Sequence, residues 1–213
     1  MTSAPEDPAV EERSVGRLFG VTDGVFAIAM TLLVIDVRVP DFPDDATTRT
    51  VAHALYEQMP SYLSFLISFY VIANYWRRHH REMRRVAIAT PAMIRRTFLL
   101  LLAVTAMPFA ASLLARHGDA AGVAATVYAA VNIVAIVALL SIRAEASRDT
   151  PSARSLRRRS TELLLDLVAY LVAVPVAFLL PRHGIETLFI ALAVSGVTNR
   201  AIGHRARRRS SRT

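Results

Sequence analysis

The sequence predicts an all-α membrane protein that forms a single domain of six transmembrane helices over residues 1–213. Apolar residues make up 54% of the chain, and its mean hydropathy is +0.38. These residues are grouped in blocks of about 20, which is the length of helix that crosses a bilayer. Arginines collect in alternate segments between the blocks. A soluble domain of this length rarely combines such a composition with such a spacing, so we expect a polytopic membrane protein.

The first apolar block, Leu18–Val37, would form a helix of about 30 Å, long enough to span the hydrocarbon core. It follows a polar lead, residues 1–12, which we expect to be disordered because it is rich in acidic residues and proline. Asp23 lies inside the block. A carboxylate within a membrane costs about 3 kcal/mol unless it is paired or faces water. Asp23 is therefore expected to contact a partner or to line an aqueous path.

The rest of the chain alternates loops with further apolar blocks. An acidic loop with prolines follows the first helix, and Val51–Gln58 has the pattern of a short amphipathic segment. Pro108 and Pro175 lie within spans, where neighbouring helices and waters can satisfy the carbonyls that they free. A basic tail, residues 203–213, ends the sequence. The predicted second to sixth spans are about Pro60–Trp76, Thr97–Ala115, Ala121–Ile142, Leu163–Leu180 and Ile185–Ile202.

The distribution of arginine predicts the orientation of the chain. All 25 basic residues are arginines, and 21 of them fall in the segments that lie on the same side of the membrane as the N-terminus. Positively charged residues concentrate in cytoplasmic loops, so both termini are predicted to be cytoplasmic. The basic runs are then topology determinants beside anionic lipid. Nucleic-acid binding is not expected, because no aromatic interleaving or nucleic-acid module accompanies them.

The side-chain inventory predicts neither an enzyme nor a metal or cofactor site. The chain has no cysteine, which excludes disulfides and thiolate ligands. The adjacent His79 and His80, with Glu82 nearby, do not have the spacing of a helical zinc pair. We also find no nucleophile and base within reach of one membrane face and no glycine-rich phosphate loop.

The predicted topology brings polar residues of the first two spans to the same depth in the membrane. Three interpretations of this polar cluster remain open on the residues alone. It can be a clamp that holds the two helices together, a wet vestibule that leads ions to a pore, or a proton relay through Asp23 and a histidine. As a clamp, it would let Asp23 accept a hydrogen bond from an imidazole, an indole N–H or a hydroxyl. The polar cluster consists of Arg17, Thr22, Asp23, Trp76, His79 and His80.

At these residues the sequence resembles a known family. The run RLFGVTDGVFAIAMTLLVIDVRVP, followed by SFLISFYVIANYWRRHH, is similar to the prokaryotic homologues of transmembrane protein 175, the lysosomal potassium channel. That family has an Arg, three variable residues and then Phe-Ser-Asp, which Arg17 and Asp23 match, with Thr22 in place of Ser and Val21 in place of Phe. The Trp-x-x-His-His ending of the second span is also typical of the family.

The resemblance implies a potassium-permeable channel in the cell membrane of a prokaryote, with no cofactor and with potassium as the permeant ion. It further implies a homotetramer in which the first helix lines the pore, with a constriction formed by Ile28, Thr31, Leu32 and Ile35. No Thr-Val-Gly-Tyr-Gly loop is present, so a ring of backbone carbonyls is not the selectivity element. The partners implied are other copies of the chain, the lipid bilayer and potassium ions.

The helical spacing agrees with such a stripe, because residues 28, 32 and 35 recur at i, i+4 and i+7. The same spacing also fits residues that face lipid or a core, and this alternative stays open. Two other functions remain as alternatives: a proton-coupled secondary transporter or proton pathway that uses Asp23, and a membrane scaffold that transports nothing.

Overall fold

The structure, a computed structural model, describes residues 8–42, 44–84, 86, 88–116, 121–147 and 153–179. Helices account for all the regular secondary structure in these ranges, which confirms the all-α prediction. A 3-10 turn, Leu33–Asp36, continues the first helix. The helices are α1 (Pro8–Leu32), α2 (Thr48–Glu57), α3 (Met59–Met83), α4 (Pro91–Arg116), α5 (Ala121–Ala146) and α6 (Ala153–Leu179).

Several boundaries differ from those predicted. Helix α1 begins at Pro8, so residues 8–12 are helical rather than disordered. The sequence there favours a helix start, because the fixed φ of proline suits the first turn and the following glutamates interact well with a helix N-terminus. Helix α2 matches the predicted amphipathic segment. The predicted sixth span, Ile185–Ile202, and the tail, residues 203–213, lie outside the described residues.

Helix α3 is longer than the predicted second span, since it continues from Trp76 to Met83. The predicted span ends at Trp76 because the apolar residues end there, and the arginines that follow are assigned to the cytoplasmic side of the membrane. In the structure Arg78, His79 and Glu82 are instead buried against other helices. Their pairing with neighbouring helices removes the reason for the helix to stop where the apolar residues do.

Three of the described helices are long and apolar enough to cross a membrane, judged by length and composition. These stretches are Val15–Ile35, Pro91–Ala115 and Gly122–Ala146. Helices α3 and α6 have 25 and 27 residues, which is also a spanning length, but their sequences include more polar and charged residues.

Helix α4 has a central place in the bundle, because it packs against α1, α3 and α5, while α5 also packs against α3 and α6. Many of the buried residues of α4 and α5 are alanines. Small residues let two helices approach closely, which increases van der Waals contact where lipid supplies no hydrophobic driving force. The buried alanines of these two helices are Ala103, Ala110, Ala111, Ala124, Ala125, Ala129, Ala135 and Ala138.

We therefore expect Ala129→Leu to destabilise the fold by about 1–3 kcal/mol, because the extra methylenes have no space in a packed interior. Ala130→Leu is the matched control, since Ala130 is exposed on the same helix. Thermal unfolding of the purified protein in detergent measures both. Equal midpoints for the two variants would contradict the close α4–α5 packing.

Candidate functional site: the first helix and its polar contacts

Helix α1 buries only one of its faces. The buried residues recur every three or four positions, as expected for one side of a helix, and this side packs against α3 and α4. They are Leu18, Thr22, Phe26, Ala29 and Leu33. The core of the subunit therefore determines which way α1 is rotated, and so which residues its other face presents.

The opposite face presents the predicted pore stripe. Ile28, Leu32 and Ile35 are 60%, 42% and 67% exposed. Thr31 is exposed beside them, and its hydroxyl donates to the carbonyl oxygen of Ile28 at 2.8 Å. None of these four residues is used in the core of the single subunit. The structure thus places them on a surface that the described residues of the chain leave exposed.

The stripe does not follow one regular α-helix, because the chain tightens into the 3-10 turn at Leu33. The predicted i, i+4, i+7 spacing assumed α-helical geometry as far as Ile35. In a 3-10 helix, residues i and i+3 eclipse each other. Ile35 consequently lies almost directly above Leu32 along the helix axis, and the end of the stripe at Ile35 covers a narrower part of the helix surface than α-helical spacing predicts.

Small residues occupy the exposed surface of α1 on the side of the stripe nearer the N-terminus. Gly16, Gly20 and Gly24 recur every four residues, and an added Cβ at any of them would meet nothing within 4 Å. This glycine face is therefore open in the single subunit. Such spacing is typical of membrane helices that approach another helix closely.

The polar cluster joins α1 to α3 through an indole. Trp76 Nε1 donates to Asp23 Oδ1 at 2.8 Å. The ring of His80 stacks on that of Trp76 with centroids 5.4 Å apart, and Phe19 contacts the ring of His80 edge-on, also at 5.4 Å. Asp23 thus has a defined hydrogen-bond donor, and the aromatic rings around that donor restrict how it can move.

The other members of the polar cluster contact different groups. His79 is buried, stacks on Phe26 at 6.4 Å and lies 3.4 Å from the Thr97 hydroxyl, measured from Nε2. Thr22 is fully buried, and its hydroxyl donates to the Leu18 carbonyl oxygen at 2.7 Å rather than to Asp23. Arg17 is exposed, and no ion pair joins it to a residue in the described ranges. Only Asp23 and Trp76 therefore form a direct polar contact.

Three ion pairs, which the sequence analysis did not predict, lie at the charged end of α3 and beside it. Arg78 Nη1 lies 2.5 Å from Asp166 Oδ2 of α6. Arg143 of α5 donates to Glu82 Oε1 from Nη2 at 2.9 Å and from Nε at 3.2 Å. A third pair, Arg96–Glu145, joins α4 to α5. On the sequence alone, the three arginines are topology determinants, Glu82 is a rejected metal ligand, and Asp166 and Glu145 have no assigned role.

A signal for these pairs was present in the sequence. The buried polar residues of α3 recur on one face along most of the helix: Ser64, Ser68, Tyr75, Arg78 and Glu82. A polar stripe at helical spacing within a span predicts polar partners in the bundle.

Hydroxyl and amide partners satisfy the uncharged part of this polar stripe. Ser64 Oγ donates to the carbonyl oxygen of Ala111 at 2.9 Å. Ser68 and Tyr128 share a hydrogen bond between their hydroxyls at 3.2 Å. Tyr75 Oη donates to Asn132 Oδ1 at 2.8 Å. The inner side of α3 is therefore hydrogen-bonded to α4 and α5 over most of its length.

No group of three or more His, Asp or Glu side chains is placed to hold a metal ion in the part of the chain that the structure describes. The fold and the site together define a class: a helical membrane protein of several spans. Its first helix is held on one side by the bundle and leaves an apolar stripe uncovered on the other.

Comparison with known proteins identifies the family. The family described as "Endosomal/lysosomal potassium channel TMEM175" matches residues 17–108, which contain the whole polar cluster. A potassium channel of Streptomyces collinus is 34% identical over 193 residues, covering 82% of this chain and 90% of that relative. The chain belongs to the TMEM175 family.

A solved structure and a human relative extend this comparison. The crystal structure of a lysosomal potassium-selective channel TMEM175 homolog from Chamaesiphon minutus superposes with a TM-score of 0.73 at 31% identity, over 91% of this chain and 98% of that chain. The human endosomal/lysosomal proton channel TMEM175 is 35% identical over 106 residues, which cover 47% of this chain and 21% of that protein.

The Asp23–Trp76 contact can be observed directly, because Trp76 is the single tryptophan of the chain. Asp23→Ala should change the emission maximum of Trp76 and lower stability by about 1 kcal/mol, the net value of a hydrogen bond. Tryptophan fluorescence during thermal unfolding measures both effects. Asp41→Ala, at an exposed loop acid, is the control. Unchanged emission in Asp23→Ala would show that the indole is not bonded to this carboxylate.

Proposed function

We propose that this chain is a potassium-permeable cation channel that conducts passively as a homotetramer in the cell membrane of a prokaryote. The observation on which this rests is the exposed apolar stripe of α1, formed by Ile28, Leu32 and Ile35 with Thr31 beside them. The Streptomyces collinus relative is a potassium channel and the Chamaesiphon minutus homolog a potassium-selective one, which supports potassium as the permeant ion.

The stripe suits a constriction because its apolar side chains are both exposed and large. Four copies of α1 around an axis would place rings of branched apolar side chains at successive levels. A hydrophobic constriction of this kind controls passage through its width and its tendency to lose water. Ile35, in the 3-10 turn, would form a ring almost in line with that of Leu32.

The open glycine face supports association of α1 with other copies of the chain. Gly16, Gly20 and Gly24 leave room for a second backbone next to α1 on the surface continuous with the stripe. Lipid can cover such a surface as well, so the number of subunits has to be measured. Crosslinking, or mass measurement of the purified protein in detergent, tests for four copies.

The distribution of arginine supports an orientation with both termini in the cytoplasm, since 21 of the 25 arginines then lie on the cytoplasmic side. In this orientation, the polar cluster lies near the cytoplasmic end of α1 and the stripe extends from it toward the outside. The role we propose for the Asp23–Trp76 contact is to hold α1 against α3 while the stripe faces the axis.

A proton pathway is the second candidate, favoured by the name of the human relative and by the exposure of the Asp23 carboxylate on α1. Asp23→Asn distinguishes the two. A channel limited by the apolar stripe keeps its potassium flux in this variant, because the stripe is unchanged. A relay through Asp23 loses its proton flux, because an amide does not exchange a proton in this way.

The main test is a flux measurement on purified protein in liposomes. A potassium gradient should drive potassium efflux without any counter-substrate, and the flux with sodium as the only cation should be smaller. Strict dependence of the flux on a proton gradient would favour a transporter. Verified insertions that remain electrically silent in a planar bilayer would favour a scaffold.

Leu32→Ala tests the stripe itself. Removing this side chain should widen the constriction, so that single-channel potassium conductance increases and discrimination against sodium decreases. Planar-bilayer recordings measure both quantities. Leu102→Ala is the matched control, because Leu102 is 66% exposed on α4, on a surface to which we assign no role in conduction. Identical currents in Leu32→Ala and the unmodified channel would contradict the assignment of the stripe.

A further inference from the structure

The charged end of α3 contacts the rest of the subunit on two sides. One side contacts α1, through the Trp76–Asp23 hydrogen bond and through the two histidines, which pack on Phe19 and Phe26. The other side is ion-paired to the body of the bundle. Helix α3 therefore connects α1 to α5 and α6 through side-chain contacts, in addition to the packing of α1 on α4.

The two ion pairs of α3 are buried and well defined. Glu82 and Arg143 both have side chains that are only 3% exposed, and two nitrogens of Arg143 donate to the same oxygen of Glu82. Arg78 and Asp166 are 6% and 12% exposed at the side chain. The first pair joins α3 to α5, and the second joins it to α6.

Such pairs restrict a helix more strictly than apolar packing does. Apolar side chains can shift and repack with a modest loss of stability. A buried charge that separates from its partner instead stays unsolvated, because no water is available to take the partner's place. Two pairs to two different helices also prevent α3 from pivoting about either one alone. The charged end of α3 thus has one favourable position relative to α5 and α6.

We propose that Glu82–Arg143 and Arg78–Asp166 are positioning pairs for ion permeation. They fix the end of α3 that carries Trp76, and through Trp76 they set where the polar-cluster end of α1 lies and how wide the constriction is. The two pairs join these four residues to one another and include no residue of the stripe. The inference rests on the proposed channel function and extends it to residues distant from the pore.

The third ion pair supplies a matched control. Arg96 and Glu145 form a similar pair, with side chains 29% and 9% exposed, but it joins α4 to α5 and does not include α3. Shortening Glu145 to Asp disturbs a carboxylate of the bundle but leaves both ion pairs of α3, and so the helix that donates to Asp23 through Trp76, unchanged. If the pairs only stabilise the fold, changing any of the three should affect potassium conductance to a similar extent. If the two pairs of α3 position α1, changing them should affect conductance more than changing Arg96–Glu145 does.

The experiment compares Glu82→Asp and Asp166→Asn with Glu145→Asp. Glu82→Asp keeps the buried charge but shortens the side chain, so the variant can fold with α3 displaced. Single-channel potassium conductance should change by about twofold or more for Glu82→Asp and Asp166→Asn, which is the lower end of the effect that residues distant from a site have on it. Glu145→Asp should leave the conductance of each inserted channel unchanged, even where the yield of protein falls.

A second readout does not depend on current. Trp76 emission reports the contact between α3 and α1 in every variant, because no other tryptophan is present. It should shift in Glu82→Asp and remain at its original value in Glu145→Asp. Glu82→Arg alone should lower the conductance, because it places two arginines together. The double variant Glu82→Arg with Arg143→Glu should restore part of that conductance, because it again pairs opposite charges.

The outcomes separate the two proposals. If the unmodified protein conducts potassium but Glu82→Asp and Asp166→Asn match it in conductance and in emission, the positioning role is wrong and the channel function stands. If Glu145→Asp changes conductance and Trp76 emission as much as Glu82→Asp does, the positioning role is also wrong, because the effect would then come from a general loss of stability. If the unmodified protein passes no potassium in liposomes, the proposed function fails, and the inference fails with it.

Discussion

The arrangement of the bundle depends on the pairing of charges that lipid cannot solvate. Helix α3 has Arg78 and Glu82 on its buried side, and each has its partner on a different helix. Leaving either charge unpaired in a low-dielectric interior would cost more than most single contacts in the fold contribute. This requirement fixes the position of α3 relative to α5 and α6. The remaining helices pack against this arrangement. The same helix then offers Trp76 to α1, so the electrostatic constraint extends to the first helix.

The two faces of helix α1 differ in what they contact. Its buried face, which includes Phe26 and Leu33, joins the common core, and the Asp23–Trp76 bond fixes one end. Its other face remains uncovered along the length of Ile28 to Ile35. A lone apolar face in a membrane protein is ordinarily covered by lipid. Here the neighbouring open glycines and the membership of the TMEM175 family support the proposal that another copy of the chain covers this face.

The structure also narrows the interpretations that the sequence left open for the polar cluster. The carboxylate of Asp23 accepts from the N–H of an indole, a donor that does not release its proton at ordinary pH. The hydroxyl of Thr22 is bonded to its own helix. His79 is enclosed by Phe26 and the Thr97 hydroxyl rather than bonded to Asp23. These contacts favour a clamp between α1 and α3. The exposure of the Asp23 side chain is the structural feature that favours a vestibule or a proton path.

The all-α class and most helix positions could be predicted from the sequence, because block length and residue spacing are local properties that a bilayer constrains directly. The polar cluster could be located for the same reason, since Asp23 and Trp76 stand out within apolar runs. Which donor binds Asp23, and which carboxylate pairs with Arg78 or Arg143, was decided only by the tertiary structure. Arg143 and Glu82 are far apart along the chain, and an arginine-rich segment offers several equivalent partners until packing selects one. The 3-10 turn at Leu33 was equally unpredictable, because the energy that separates it from a regular turn is small and depends on what surrounds the helix end.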